Sequence, residues 1–251
     1  MTAFLKLTAF DFRLYVRDWI TIFWVLIYPI LILLLFGSMF GDSPGIIPGT
    51  RYIDNYVPAL CAMNVMSVGL FTLNINMVNY RETGMLRRFR VTPLPRASVL
   101  ASHATQGVVL ILAGAVEIIL IAKLVWNIEI GVAGIGLLAV CLLLGALGFF
   151  SLGFAMSGLS NQPGAASGIA MALFFPMMFL SGIAMPLEIL PAFVRAASNW
   201  VPMTYFVTLV QGVWSGQTGQ SYGLELLVLA GFAAVAAALA FVLFRWENNV
   251  N

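Results

Sequence analysis

Residues 130–187 carry no acidic or basic side chain, a run far longer than any soluble fold requires. Soluble domains contain roughly 25% charged residues, whereas only 9% of this chain is charged and 61% is hydrophobic. The mean hydropathy is +0.99. Because so apolar a surface can be covered only by lipid, the sequence predicts an integral membrane protein.

Apolar segments of about 20 residues, the length that crosses a bilayer at 1.5 Å per residue, occur six times. The uncharged run is too long for one span, and the turn sequence SNQPG at 160–164 divides it in two. The predicted fold class is an all-α membrane protein with one transmembrane domain over 1–251 and no nucleotide-binding domain. The predicted spans are 19–40, 57–78, 104–125, 132–157, 165–182 and 226–244.

The basic residues are unevenly distributed between the two sides of these spans. Nine of the 12 Lys and Arg fall in the N-terminus, the 80–103 loop and the C-terminal tail, and three fall on the other side, Arg51, Lys123 and Arg195. Since loops rich in Lys and Arg remain in the cytoplasm, both termini are predicted to be cytoplasmic. The first span is followed by no A-x-A-like cleavage site, so it is not predicted to be a signal peptide.

The N-terminal residues 1–18 are predicted to form an amphipathic helix on the membrane surface. Apolar residues recur at helical spacing between Phe4 and Tyr15, while Arg13 and Arg17 lie elsewhere on the helix. A plain positively charged anchor for the first span is the alternative.

The 81–96 loop holds five of the 12 basic residues. Topology alone explains their charge, because an arginine inside a membrane costs about 2.5–3.5 kcal/mol. It does not explain their arrangement, in which Gly84 precedes a short amphipathic turn that Pro93 and Pro95 end. This arrangement favours a docking element, and a polybasic lipid-binding loop is the alternative.

The segment between the last two spans is apolar but interrupted by prolines. Its apolar run 203–214 is too short to cross a bilayer. Such a length is typical of an interfacial or re-entrant element, here predicted over 186–214 at the outer face.

Two motifs resemble those of ABC type-2 exporter permeases. The 81–96 loop reads E-x-G-x-L-R-x-x-R-V-T-P-L and resembles that family's loop between spans 2 and 3, whereas the outer segment resembles its P…LP…P-x-T-Y segment between spans 5 and 6. Val201 and Gln211 depart from the family, which often has Asn and Arg at these places. The resemblance covers essentially the whole chain and is greatest to the small daunorubicin-exporter and nodulation-factor-exporter type.

The resemblance implies that the 81–96 loop forms a coupling helix on a separate ATPase and that the outer segment folds as re-entrant helices. The implied coupling residues are Glu82, Gly84, Leu86, Arg87, Arg88, Phe89, Arg90 and Pro93, with Arg13 and Arg17 as surface-helix contacts. The implied residues of the outer segment are Pro186, Pro191, Pro202, Thr204 and Tyr205.

The resemblance also implies the partners. The permease would dimerise, with itself or with a sister permease, and would recruit ATPase subunits that bind ATP and Mg. The chain itself has no G-x-x-x-x-G-K-[ST] P-loop, so we expect no cofactor and no ATPase site in it. Membrane lipids are expected contacts, nucleic acid is not, and the expected location is a bacterial or archaeal cytoplasmic membrane.

A candidate substrate path lies within the spans. Polar residues on one face of span 2 either hold helices together or line a cavity. The Met- and Phe-rich part of span 5 suits either binding of apolar ligands or ordinary helix packing. Glu117 is an ionisable group at depth in span 3, which either contacts a substrate or a proton or is hydrogen-bonded to a neighbouring span. The candidate residues are Asn64, Ser67, Phe71, Asn74, Glu117, Phe175, Met178 and Phe179.

Catalytic and metal chemistry find little support in the sequence. His103 is the only histidine, and the two cysteines, Cys61 and Cys141, are far apart in the chain. No metal cluster and no nucleophile–base pair is therefore predicted. The expected function is export of an amphipathic, drug-like or lipid-linked molecule. The alternatives are export of a polysaccharide or glycolipid and, in another class, an intramembrane enzyme or a channel.

Overall fold

A computed structural model describes residues 8, 12–13, 17, 19–45, 49–86, 96–128, 132–184, 187, 190–216 and 221–244. These residues form helices joined by turns and short irregular connections, and one isolated antiparallel bridge among them links Pro44 and Arg51. Six of the described helices are long and apolar enough to cross a membrane. The all-α fold with six candidate spans is thus confirmed.

The helices follow one another up and down the bundle. Helix α1 comprises Trp19–Ile22, a π-helical segment Phe23–Ile27, and Tyr28–Phe40; α2 comprises Tyr52–Ser67, a π-helical segment Val68–Leu73, and Asn74–Glu82. The others are α3 Arg96–Trp126, α4 Val132–Ser157, α5 Pro163–Leu180, α6 Ala192–Ser198, α7 Pro202–Trp214 and α8 Gly223–Leu243. We call the two ends of the bundle the Arg51 end and the Arg81 end, after arginines at the two ends of α2.

Helix α2 occupies the centre of the bundle. It contacts α1, α3, α4, α5 and α7, and the most apolar part of its span is 100% buried. The spans of α1, α5 and α8 are mostly exposed by comparison, with 22%, 22% and 11% buried. Because α2 is surrounded by protein, it can carry polar side chains at depths where a lipid-facing helix could not.

Glycines bring the backbones of α2 and α4 into contact. A Cβ atom on Gly153 would collide with the carbonyl oxygen of Gly69, and one on Gly69 would collide with the carbonyl of Phe149. The π-helical segment of α2 lies at this crossing. Small residues at a crossing allow membrane helices to approach closely, and the close approach increases van der Waals contact.

The short helices α6 and α7 pack against the half of the bundle at the Arg51 end. Helix α7 contacts α2, α4 and α8, and Phe206 fills the space above Gly145. Gln211 Nε2 donates a hydrogen bond to the carbonyl oxygen of Asn55 at 3.0 Å. These contacts hold α7, an apolar helix that is too short to span a membrane, against the other helices of the protein. Its predicted re-entrant character stays a prediction.

Two boundaries differ from the sequence prediction in a way that matters for function. Helix α2 begins at Tyr52 and continues to Glu82, so Arg81 and Glu82 belong to its last turn and not to the loop. Its polar ends were excluded from the predicted span because they lower the local hydropathy, yet protein surrounds much of them. Residues 87–95, Pro186 and most of the predicted N-terminal helix lie outside the described residues.

The glycine crossing predicts an overpacking defect. We expect Gly153→Val to lower the free energy of unfolding by about 1–3 kcal/mol, because a side chain here must push two helix backbones apart. Thermal unfolding of the purified protein in detergent measures this. Gly231→Val on α8 is the control, since a Cβ at Gly231 meets no atom within 4 Å. Equal melting temperatures for the two variants would contradict the prediction.

Candidate functional site

The start of the predicted coupling segment is fixed to the Arg81 end of the bundle. Glu82 is exposed in the last turn of α2, and Gly84 ends the helix with a φ of +70°, a conformation that favours glycine. Leu86 is fully buried and packs with Met77, Tyr80 and Val99. The remaining predicted coupling residues, Arg87, Arg88, Phe89, Arg90 and Pro93, lie outside the described residues.

Arg81 is buried, although sequence reasoning treated it as a loop charge. It is 4% exposed, and its guanidinium donates to the carbonyl oxygens of Ser157 at 2.7 Å and Ser160 at 3.1 Å. Both acceptors lie where α4 ends and the connection to α5 begins. The polar run around Asn79 could have indicated that the helix continues past residue 78.

The N-terminal segment reaches the same end of the bundle. The hydroxyl oxygens of Thr8 and Ser102 are 3.1 Å apart, and His103 packs edge-on against Tyr80 with 4.9 Å between ring centroids. The predicted surface-helix contacts Arg13 and Arg17 are exposed.

The polar stripe on α2 is buried within one chain. Asn64 Nδ2 donates to the carbonyl oxygen of Val25 at 2.6 Å. That oxygen lies in the π-helical segment of α1, where the regular backbone hydrogen bonding is interrupted. Ser67 and Asn74 are fully buried as well, and Asn74 Nδ2 donates to the carbonyl oxygen of Ala166 at 3.3 Å. In a single chain the two amides therefore join helices, and a role of this stripe in lining a cavity stays a prediction.

Aromatic side chains connect α1, α2 and α5. Trp24 stacks on Phe71 with 5.0 Å between centroids and 11° between ring planes, and Phe174 lies edge-on to Trp24 at 6.2 Å. The Tyr28 hydroxyl donates to Met178 Sδ at 3.5 Å. Candidate residues Phe71 and Met178 are thus inside this cluster, whereas Phe175 and Phe179 on α5 are 36% and 49% exposed.

Glu117 lies close to the polar stripe of α2. Gly114, almost one turn earlier on α3, is the point where a Cβ would collide with the Asn64 amide. Glu117 is half-buried, and its Oε2 is buried without a hydrogen-bond partner among the described residues. A carboxylate in this position needs water, a proton or a ligand to satisfy it.

The Arg51 end carries a polar network that sequence reasoning missed. Arg51 donates to Asp54 through Nη2 at 3.1 Å and through Nε at 3.2 Å, and its Nη1 donates to the carbonyl oxygen of Trp126 at 3.1 Å. Asn55 donates to Thr50 Oγ1 at 2.6 Å. These residues line part of a polar cavity of about 490 Å³. The R-x-x-D spacing at the start of α2 is the signal that was available.

The described residues of segment 186–214 connect α5, α6 and α7, and the Thr204 hydroxyl donates to the carbonyl oxygen of Leu180 on α5 at 3.3 Å. The Thr204 hydroxyl donates to the carbonyl oxygen of Ser198 at 2.9 Å, and the Tyr205 hydroxyl donates to that of Asn199 at 2.9 Å. Pro191 precedes α6 and Pro202 begins α7. No group of three or more metal-ligating His, Cys, Asp or Glu side chains occurs among the described residues.

Six helices long and apolar enough to cross a membrane, with the buried α2 among them, define a multi-pass membrane protein. A family model described as ABC-2 type transporter matches residues 2–214. The chain therefore belongs to the ABC-2 type transporter family and is an ABC-2 permease, a transport subunit that pairs with an ABC ATPase subunit.

Two relatives match most or all of the chain. It is 28% identical to the daunorubicin resistance ABC transporter permease protein DrrB1 of Streptomyces coeruleorubidus over 232 residues, 89% of this chain and 77% of the relative. It is 25% identical to the putative transport permease YvfS of Bacillus subtilis over 252 residues, 100% of both chains.

The Asn64–Val25 contact yields a prediction that separates helix contact from ligand contact. We expect Asn64→Ala to lower the free energy of unfolding by about 1 kcal/mol, the size of an interhelical polar contact in a membrane. Thermal unfolding in detergent measures it, with the half-buried Asn76→Ala on the same helix as control. An unchanged melting temperature, together with altered transport, would instead place Asn64 on the substrate path.

Proposed function

We propose that this permease exports an amphipathic small molecule of drug or antibiotic type, or a lipid-linked molecule, across a bacterial or archaeal cytoplasmic membrane. The observation that carries the proposal is α2, a continuous helix that runs past the Trp24–Phe71 aromatic cluster and ends at Glu82, shortly before the buried Leu86. Such a helix can connect an apolar, aromatic binding region to the predicted coupling segment. The printed name of the DrrB1 relative, which refers to daunorubicin resistance, supports a drug-like substrate.

The working unit in this proposal contains two permease copies. The exposed face of α5 favours a protein partner, since Gly164, Gly168 and Ala172 recur on it at intervals of four residues. A Cβ at either glycine meets no atom within 4 Å. Small residues at this spacing permit close contact between membrane helices, and exposed Phe175 and Phe179 would then border the substrate path.

In this proposal the energy for transport comes from the ATPase partner. ABC ATPase subunits bind ATP and Mg, and segment 81–96 docks on them from the cytoplasmic side. Both termini of the permease lie on that side, with the basic N-terminal segment against lipid headgroups. Export of a polysaccharide or glycolipid is the alternative substrate class, whereas an intramembrane enzyme or a channel would not require the ATPase.

Co-purification tests the proposal directly. We expect the tagged permease, extracted in mild detergent from its native membranes, to retain a P-loop ATPase in stoichiometric amount, and Glu82→Ala and Phe89→Ala to lose most of it. Glu82→Ala would remove a polar contact with the ATPase, and Phe89→Ala would remove an apolar contact in the docking groove of the ATPase. ATPase activity of the eluate and identification of the bound proteins measure the outcome.

Thr105→Ala on α3 is the matched control for these variants, because it lies outside segment 81–96. Its exposed hydroxyl donates to the carbonyl oxygen of Ala101 in the same helix, so its loss should leave the ATPase bound. A permease that purifies alone from native membranes and shows no ATPase activity would overturn the exporter proposal. It would favour an intramembrane function that involves Glu117.

A further inference from the structure

The side chain of Arg81 joins the end of α2 to the connection between α4 and α5. One guanidinium accounts for two hydrogen bonds, from Nη2 to the carbonyl oxygen of Ser157 and from Nη1 to that of Ser160. Carbonyls at the end of a helix have no partner within it and carry the negative end of its dipole. A planar guanidinium donates at once to such an oxygen on Ser157 and to the carbonyl oxygen of Ser160 in the connection that follows, which a lysine ammonium at the end of a flexible chain does with far less precision.

A second contact attaches α2 to the beginning of α5. Asn74 Nδ2 donates to the carbonyl oxygen of Ala166, four residues into α5. Asn74 and Arg81 are seven residues apart, about two turns of helix, so both side chains lie on one face of α2. That face therefore holds the end of α4, the turn that follows and the first turn of α5.

On the other side of Arg81 the chain passes directly into the predicted coupling segment. Gly84 ends α2, and Leu86 is anchored against Met77 and Tyr80 of the same helix and Val99 of α3. Only Glu82, Thr83, Gly84 and Met85 separate Arg81 from that anchor. A force on residues 87–95 would therefore act on the last turn of α2 at one end of the segment and on the first turn of α3 at the other.

We propose that Arg81 is a positioning residue for energy coupling, which passes movement of the coupling segment to α5 through the carbonyls of Ser157 and Ser160. The inference rests on the proposed function, because it requires an ATPase that moves the segment. An arginine that served topology alone would be exposed to water or headgroups, whereas Arg81 is 4% exposed. The helix that it controls carries Phe175 and Phe179, two of the candidate residues of the substrate path.

The experiment uses the complex of permease and ATPase isolated from native membranes. In a Cys61→Ala, Cys141→Ala background, the exposed Ala165 near the start of α5 is changed to cysteine and labelled with an environment-sensitive bimane fluorophore. The emission is recorded without nucleotide and after trapping with MgATP and vanadate. ATP hydrolysis and the amount of bound ATPase are measured on the same samples.

With Arg81 present, we expect trapping to shift the bimane emission. Arg81→Met and Arg81→Lys are expected to lose the shift while the ATPase stays bound and continues to hydrolyse ATP. The methionine variant leaves no unpaired buried charge, and the lysine variant keeps the charge without the planar fork. Agreement between the two variants therefore assigns the effect to the guanidinium group and not to its charge. Thr105→Ala, which removes a hydrogen bond inside α3 and lies outside segment 81–96, is expected to keep the shift.

Three results would overturn the inference. If both Arg81 variants shift like the parent complex, α5 receives the movement by another route while the exporter proposal stands. If they lose the bound ATPase, Arg81 supports docking and not transmission. If the parent complex itself gives no shift, or carries no ATPase, the proposed coupling fails together with the inference.

Discussion

The bundle depends on the close crossing of α2 and α4, which is possible only because glycine lacks a Cβ atom. With glycine at 69 and 153, the two backbones touch, and α2 can be enclosed by α1, α3, α4, α5 and α7. Larger side chains would separate the helices and open the centre of the bundle to lipid. Enclosure in turn permits Asn64, Ser67 and Asn74 on α2, because their polar atoms face protein and not hydrocarbon.

The enclosed helix meets its neighbours through two kinds of contact. Its contact with α4 is a tight backbone crossing, whereas α1 and α5 are joined to it by single amides and by aromatic rings. Packed backbones resist sliding, since any displacement forces atoms to overlap. Ring contacts and single hydrogen bonds re-form more easily after a small shift. The physical difference favours movement of α1 and α5 relative to a body formed by α2 and α4.

Hydropathy and segment length sufficed to predict the six spans and the break at SNQPG, because both depend on local composition. The short apolar run 203–214 likewise distinguished this segment from a span, and the structure gives it a helix of 13 residues, α7. Burial of Arg81 and the contact of Asn64 with Val25 were not predictable in this way, since each depends on an acceptor 76 or 39 residues away. Counting charges for topology treats every arginine as solvated, and only the packed bundle distinguishes Arg81 from Arg13.

The two arginines at the ends of α2 solve the same problem in different surroundings. Each donates to a carbonyl at the end of a neighbouring helix, Arg51 to Trp126 of α3 and Arg81 to Ser157 of α4. Arg51 is 38% exposed and is paired with Asp54, so water and a carboxylate share its charge, and the loss of one contact costs little. Arg81 is buried, where each contact to the guanidinium carries more energy. The stronger of the two anchors therefore lies beside the segment on which the ATPase is proposed to act.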